Sequence, residues 1–366
     1  MFLTINSGSS SLRLAAYVRE DGELQRLAAT RHETGTGSYD ELLQRFIDDH
    51  NLQQVRGVVH RVVHGGSYFS GACRIDTGVE SRIEELAPLA PLHNPQALAL
   101  IRTARQLLTP QTAHVAVFDT GFFHSMPERA IRYALPSDLN CDHEPRRYGF
   151  HGLAHQAMWQ AWLQHESGRS KTRLITLQLG AGCSISAIRD GKPLDTSMGF
   201  SPLEGLVMAT RSGDLDPGLL LYLQQQQGLT PEQLDNMLNR HSGLLGVSGL
   251  GADMRDLLDS TEPRAQQAVD LYCYRAAKYI GAYLAVLGGA DGIVFGGGVG
   301  EHAPLIRARI LGYLGWAGID LDPDANQAIL GEAARISRAD SRIAAWVLPV
   351  DEARLMAEQA WQLLDA

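Results

Sequence analysis

The sequence predicts an α/β protein of two domains. Three observations lead there: a chain long enough for two cores, strand-like runs alternating with helical periodicities, and one strand-turn-strand phrase written twice. The 366 residues are 45% hydrophobic, and at about 150 residues per domain that length fits two. The net charge of −9 disfavours nucleic acid or a membrane surface as partner, so local cations must hold any anionic substrate. No run reaches the roughly 18 apolar residues of a membrane span, and no basic-then-apolar leader opens the chain, so a cytoplasmic protein is expected. Cys73, Cys141, Cys183 and Cys273 are scattered without a CxxC pair, which reads as reduced thiols rather than a disulfide framework.

The first element, residues 2–5, is a short apolar strand that runs into the small-residue turn Asn6-Ser-Gly-Ser-Ser-Ser11. Leu12, Leu14 and Ala16 then resume a strand that ends at Asp21-Gly22, a hairpin signal. The same phrase recurs at residues 174–179, with the turn Gly180-Ala-Gly-Cys-Ser184, the strand 185–188 and Asp190-Gly191. A second correspondence is expected between Val115-Ala-Val-Phe-Asp-Thr-Gly121 and Gly292-Ile-Val-Phe-Gly-Gly-Gly298. The spacings are similar, 174 residues from Gly8 to Gly182 and 177 from Val117 to Val294, as a duplication requires. Helical periodicity marks residues 39–48, 96–107, 266–287 and 352–364. A last strand is expected around 344–350. The expected domains are 1–122 with 354–366, and 123–353, facing each other across a hinged cleft.

Several segments carry chemistry. The turn from Asn6 to Ser11 is dense in short hydrogen-bonding side chains and suits phosphate oxygens, although a polar hairpin turn reads equally well. It is no Walker A loop. Gly296-Gly-Gly-Val-Gly-Glu-His302 follows an apolar strand and precedes a helix, either a nucleotide cradle or a tight strand-to-helix turn. Arg61 and Arg211 sit beside glycines in apolar segments, as cations for a transferred phosphoryl group or as partners in structural salt bridges. His60, His64, His93, His151 and His155 lie in short Gly-, Pro- and Asn-containing motifs. The i, i+4 spacing of His151 and His155 permits a metal pair, but there is no HExxH and Gly152 weakens a helix there. Asp119 and Glu352 are the carboxylates placed to organise a hard cation, with a helix cap and a solvated terminus as the plainer alternatives.

Taken together these motifs resemble the acetokinase family, within the superfamily that joins acetate and sugar kinases to actin and the heat-shock chaperone ATPases. The resemblance runs through Asn6 to Leu12, His60-Arg-Val-Val-His-Gly-Gly66, Pro91-Leu-His-Asn-Pro95, Val117-Phe-Asp-Thr120, Tyr148-Gly-Phe-His-Gly152, residues 195–205, Asp253-Met-Arg-Asp256 and residues 295–301. It implies duplicated ribonuclease-H-like domains, a homodimer, and transfer of a phosphoryl group from ATP to acetate with Mg²⁺, or Mn²⁺ in its place. Propionate or butyrate kinase is the alternative within the superfamily, and an ATP-binding sensor without turnover is the alternative outside catalysis.

By that resemblance Arg61, Asp119, His151 and Arg211 are catalytic. Val63, Leu92, His93, Phe150 and Pro202, with Arg61, receive the acid. Asn6, Ser9, Ser11, Arg13, Gly180 and Gly182 meet phosphates, and Asp253, Met254, Arg255, Gly298, Val299 and Gly300 border the adenosine. Asn6 and Glu352 serve the metal. The chain departs from the family pattern at Arg13, where Lys is common, at Gln178 and Ala181, where the family reads His-Leu-Gly-Asn-Gly, at Ala209 and at His302.

Overall fold

The structure, a computed structural model, describes residues 1–8, 11–33, 38–52, 54–91, 93–166, 168 and 171–365. Ser9 and Leu92 lie outside the described residues. The chain divides into two compact units, the first comprising Met1–Ser125, Phe150–Leu153 and Asp351–Ala366, the second Met126–Gly149 and Ala154–Val350.

The first unit is a six-stranded sheet of β1 (Phe2–Ser7), β2 (Ser11–Glu20), β3 (Glu23–Glu33), β4 (Gly57–Val62), β5 (Cys73–Arg74) and β6 (Ala113–Phe118) in the order β3-β2-β1-β4-β6-β5. β1, β4 and β6 run parallel, and β2, β3 and β5 are antiparallel to their neighbours. Strand alternation explains how both faces are covered. Leu12, Leu14 and Ala16 of β2 join Leu42, Leu43 and Phe46 of the helix Tyr39–Asp49 in one core. Ala15 and Tyr17, pointing the other way, pack on Ala357 of the closing helix Glu352–Asp365. On that same helix Trp361 stands edge-on to Phe2 at 5.0 Å.

The second unit repeats the plan with β7 (Arg173–Leu179), β8 (Cys183–Arg189), β9 (Lys192–Thr196), β10 (Gly292–Gly296), β11 (Ala334–Arg335) and β12 (Ala344–Val347), ordered β11-β12-β10-β7-β8-β9. Here β7, β10 and β12 are parallel and the other three antiparallel to their neighbours. Read from β3 and from β9, the two sheets agree in strand order and in every strand direction.

This topology corrects one expectation. The hairpins β1-β2 and β7-β8 do correspond, but the counterpart of β10 is β4, not β6, and β6 is matched by β12. Both members of the expected pair are apolar strands ending near glycine, and that likeness carries no information about which neighbours a strand bonds.

The long helix Pro263–Leu287 presents Ala268, Val269, Tyr272, Ala276, Ile280 and Tyr283 as a buried stripe at helical spacing. No helix among the described residues is long and apolar enough to cross a membrane.

Candidate active site

In the first unit the sheet brings Asn6, Arg61 and Asp119 to the carboxyl edge of three adjacent parallel strands, the edge where open α/β sheets bind ligands. Glu352 joins them from the first turn of the closing helix. The Asn6 Nδ2 donates to Glu352 Oε2 at 2.7 Å, and Arg61 Nη1 donates to Asn6 Oδ1 at 2.9 Å. Arg61 then grips Asp119 with two prongs, Nε to Oδ1 at 3.0 Å and Nη2 to Oδ2 at 2.5 Å.

The charges are set by burial and by each other. Burial works against the Arg61 guanidinium, but Asp119 and Glu352 outweigh it and keep it charged. Burial pushes the Asp119 carboxyl above the usual aspartate value, with Arg61 and His93 opposing and Glu352 adding to the push. Burial also acts on Glu352, yet Arg61, the Asn6 bond, Arg13 and His151 hold its carboxyl below the usual glutamate value. An ionised carboxylate, an amide and a guanidinium thus line one buried edge.

His151 adopts a left-handed backbone, φ 57°, just ahead of the helix that begins at Gly152, whose N–H donates to the Asp119 carbonyl at 3.1 Å. His93 precedes the helix Asn94–Leu107. The buried Asn94 amide is bonded both ways to the His64 backbone, at 3.1 and 3.0 Å. Val63 and Phe150 are buried, and Phe150 meets the His64 ring edge-on at 5.5 Å. Ser11 is buried at the start of β2, with its carbonyl accepting from Gly8 N at 2.8 Å, while Arg13 is exposed opposite Asn6 in the ladder.

The zinc alternative fails on both histidines. His151 precedes the helix instead of lying on it, and both ring nitrogens of His155 are engaged, by Thr176 Oγ1 at 2.7 Å and Ser184 Oγ at 2.8 Å. No group of three metal-ligating side chains occurs among the described residues. Arg61 does form a salt bridge, with Asp119.

In the second unit Arg211 Nη1 donates to the Pro202 carbonyl at 3.1 Å and lies 3.7 Å from Met208 Sδ. No carboxylate pairs with it among the described residues, and burial pulls its guanidinium below the usual arginine value. A sequestered cation without an anion is suited to receive one. The turn Gly180–Gly182 is closed by Gly180 N to Gly182 O at 3.1 Å. Ala181 and Ala209, both departures from the family pattern, are tied to each other, Ala209 N to Ala181 O at 3.1 Å.

β10 runs into the helix Gly297–His302, which carries Gly298, Val299 and Gly300. Gly297 has φ 76°, and a Cβ there would come within 2.7 Å of the Leu179 carbonyl. Its N–H is satisfied by Glu301 Oε1 at 2.9 Å, and His302 Nδ1 meets the Gly298 carbonyl at 3.2 Å. Gln178, beside Gly297, leaves its Oε1 buried without a hydrogen-bond partner among the described residues. Asp253 caps the helix Met254–Asp259 and pairs with Arg255, whose side chain is 87% exposed and so open to a ligand, while Met254 is buried.

One supporting residue escaped the sequence. Arg307 is wholly buried and has no carboxylate partner among the described residues. Its Nη1 donates to the carbonyls of Gly300 and Glu301 at 2.9 and 3.0 Å, its Nη2 to those of Asn326 and Ile329 at 2.7 and 2.9 Å, and its Nε to Asn326 Oδ1 at 2.8 Å. It gathers carbonyls at the ends of two helices, the glycine helix and Pro323–Ala328. The available signal was an arginine next to Ile306 and in register with Ile310 on an apolar helix face.

The sheet order β3-β2-β1-β4-β6-β5, present twice, defines a duplicated ribonuclease-H-like protein, and one copy carries a buried carboxylate–amide–guanidinium chain. The chain belongs to the acetokinase family, an enzyme family whose model matches residues 11–358. An acetate kinase of Solibacter usitatus (strain Ellin6076) is 47% identical over 312 residues, 84% of this chain and 75% of the relative. The crystal structure of Porphyromonas gingivalis acetate kinase matches with a TM-score of 0.89 at 36% identity, covering 99% of both chains. A propionate kinase from Francisella tularensis subsp. tularensis SCHU S4 matches at 0.88 and 33% identity, covering 98% of both.

Proposed function

We propose that the chain transfers the terminal phosphoryl group of ATP to the carboxylate of acetate, giving acetyl phosphate and ADP. The buried chain Glu352–Asn6–Arg61–Asp119 carries this reading beyond family membership, because it places a charged guanidinium and oxygen donors together at the ligand-binding edge of a sheet. A short-chain acid is already ionised at pH 7, having a pKa near that of a glutamate side chain. No general base is therefore needed. A carboxylate oxygen attacks phosphorus, the bond to the bridging oxygen breaks, and ADP leaves with the electron pair.

The protein's task is positioning and charge neutralisation. Arg61 and Arg211 are assigned to the acid and the migrating phosphoryl group, and His151 to a hydrogen bond toward that group. His93 supports Asp119, and Val63, Phe150 and Pro202, with Leu92, are assigned to the alkyl end. Asn6, Ser9, Ser11, Arg13, Gly180 and Gly182 are assigned to phosphates, and Asp253, Met254, Arg255, Gly298, Val299 and Gly300 to the nucleoside. The donor set of Asn6, Asp119 and Glu352 offers oxygen only, which suits Mg²⁺, or Mn²⁺ in its place. When bound, that ion supplies positive charge to the phosphate oxygens. A cytoplasmic location accompanies this reading, ATP being the co-substrate.

A homodimer accompanies this reading. The helix Pro217–Gln227 buries none of its residues, and Leu219, Leu221 and Tyr222 stand exposed along it, an apolar surface suited to a second copy. Propionate as substrate is the second reading, favoured by the likeness to a propionate kinase, since each methylene of the acid is worth only about 1 to 3 kcal/mol of discrimination. A hydroxamate assay with ATP, Mg²⁺ and acetate, propionate or butyrate tests both. Acyl phosphate formed fastest from acetate supports the first reading, a kcat/KM order led by propionate supports the second, and no acyl phosphate from any of the three removes both.

A further inference from the structure

The loop from β9 to the helix Pro217–Gln227, which delivers Pro202 and Arg211, contains three carboxylates; Asp216 caps that helix, and Glu204 and Asp214 are each held by a tyrosine and an arginine. Glu204 accepts from Arg147 Nη2 at 2.6 Å on Oε1 and from the Tyr133 hydroxyl on Oε2. Asp214 accepts from the Tyr279 hydroxyl at 2.8 Å and from Arg275 at 3.3 Å, both on Oδ2. Arg211, between them in the chain, meets the Pro202 carbonyl and the Met208 sulfur and has no carboxylate partner among the described residues.

The Glu204 clamp is the more tightly built. The Tyr133 hydroxyl also accepts from Phe200 N at 2.9 Å, and Arg147 Nη1 reaches the Ser197 carbonyl at 3.2 Å. A Cβ on Gly199 would fall 1.6 Å from Glu204 Oε2 and 2.1 Å from the Tyr133 oxygen, so the carboxylate lies directly on the loop's backbone. Arg147 stacks toward the Tyr133 ring at 5.7 Å, which fixes the two partners to each other as well as to Glu204. Such a clamp costs two ordered side chains and a buried guanidinium. Loop anchoring alone would be served by an apolar contact.

We propose that Arg147 and Tyr133 are positioning residues that occupy Glu204, so that the one carboxylate folded back on the Pro202 segment cannot neutralise Arg211. Arg211 is thereby kept as an unpaired cation for the transferring phosphoryl group, and the inference rests on that assigned role. Freed of its partners, Glu204 would be the nearest anion in sequence to the Pro202 carbonyl that Arg211 already touches, and an Arg211–Glu204 pair would shut the cation off from substrate.

The test is a double-mutant cycle in the full-length protein with ATP, Mg²⁺ and acetate. Arg147→Met is expected to lower kcat by about 10²-fold, the scale of a misplaced catalytic group, with the KM for ATP little changed. Adding Glu204→Gln removes the freed charge and is expected to return at least about tenfold of the loss, a coupling typical of residues in one network. Tyr133→Phe, a milder change, should show the same rescue if Arg147→Met does not fold. A double variant no faster than the single one would reduce the clamp to a structural anchor and overturn the proposal. If Arg211→Ala keeps full turnover, the role of Arg211 itself fails, and that result is read independently of the cycle.

Discussion

Arg61 and Asp119 meet through two parallel hydrogen bonds, at 3.0 and 2.5 Å, with the aspartate 1% exposed and the arginine side chain 11% exposed. A fork-to-fork pair of this kind fixes the guanidinium plane as well as its charge. Asp119→Asn keeps the shape but strips the charge, leaving the buried Arg61 to rely on Glu352 for compensation. The expected loss is about 3 to 5 kcal/mol of stability, the cost of breaking one side of a buried pair, read from denaturant unfolding. Activity should fall as well, and formate or imidazole added to Asp119→Ala should not restore it, because a positioning role has no proton for an external base to take. Recovery of turnover with added base would assign Asp119 to proton transfer.

Arg211 makes the opposite prediction for stability. Among the described residues it has no carboxylate partner to strand, so Arg211→Ala should leave the thermal midpoint nearly unchanged while kcat falls by about 10²- to 10³-fold, the loss seen when one transition-state donor is removed. Equal turnover in the variant and the parent would take Arg211 out of the chemistry.

Arg307 reports on the glycine helix. Arg307→Met fills the space but takes the guanidinium donors from the carbonyls of Gly300, Asn326 and Ile329, while the Glu301 carbonyl keeps Gly331 N at 3.1 Å. At roughly 1 to 3 kcal/mol per buried unsatisfied group, partly relieved by relaxation, the expected destabilisation exceeds about 2 kcal/mol. If the glycine helix borders the nucleoside, the KM for ATP rises more than that for acetate. A KM increase confined to the acid would detach Arg307 from nucleotide binding.

The buried histidines of the first sheet predict acid sensitivity. His60 Nε2 lies 3.1 Å from His114 Nδ1. Burial, then His114 and Arg105, holds His60 well below its ordinary value of 6.5, while burial and then Arg105 lower His114 to about 4. Below pH 6.5 the unfolded chain takes up protons that the folded pair refuses, so stability falls as pH drops from 6.5 toward 4. His114→Gln should flatten this part of the stability curve, as measured by thermal unfolding across that range. An unchanged slope would remove the pair from the acid response.

Much of this site was legible because chain order and sheet order agree locally. Asn6 and Asp119 each close an apolar run and Arg61 interrupts one near its end, which puts all three at the carboxyl edges of β1, β4 and β6. The hairpins were legible for a similar reason, since alternation and Asp-Gly turns are written in adjacent residues. Pairing between distant strands is not written that way, so β10 could be likened to β6 although its bonded neighbours make it the match of β4. The contacts of Glu204 and Arg307 are not legible in the sequence because their partners, Tyr133 and Arg147 for one and Asn326 for the other, lie too far along the chain for spacing to link them.

The equivalence of β4 and β10 carries a historical consequence. Counted from the first residue of each strand, Arg61 and Gly296 hold the same place, yet one is a charged fork and the other the doorway to a run of glycines. Copying a half therefore did not copy its chemistry: at that single spot one sheet offers a charge and the other offers bare backbone.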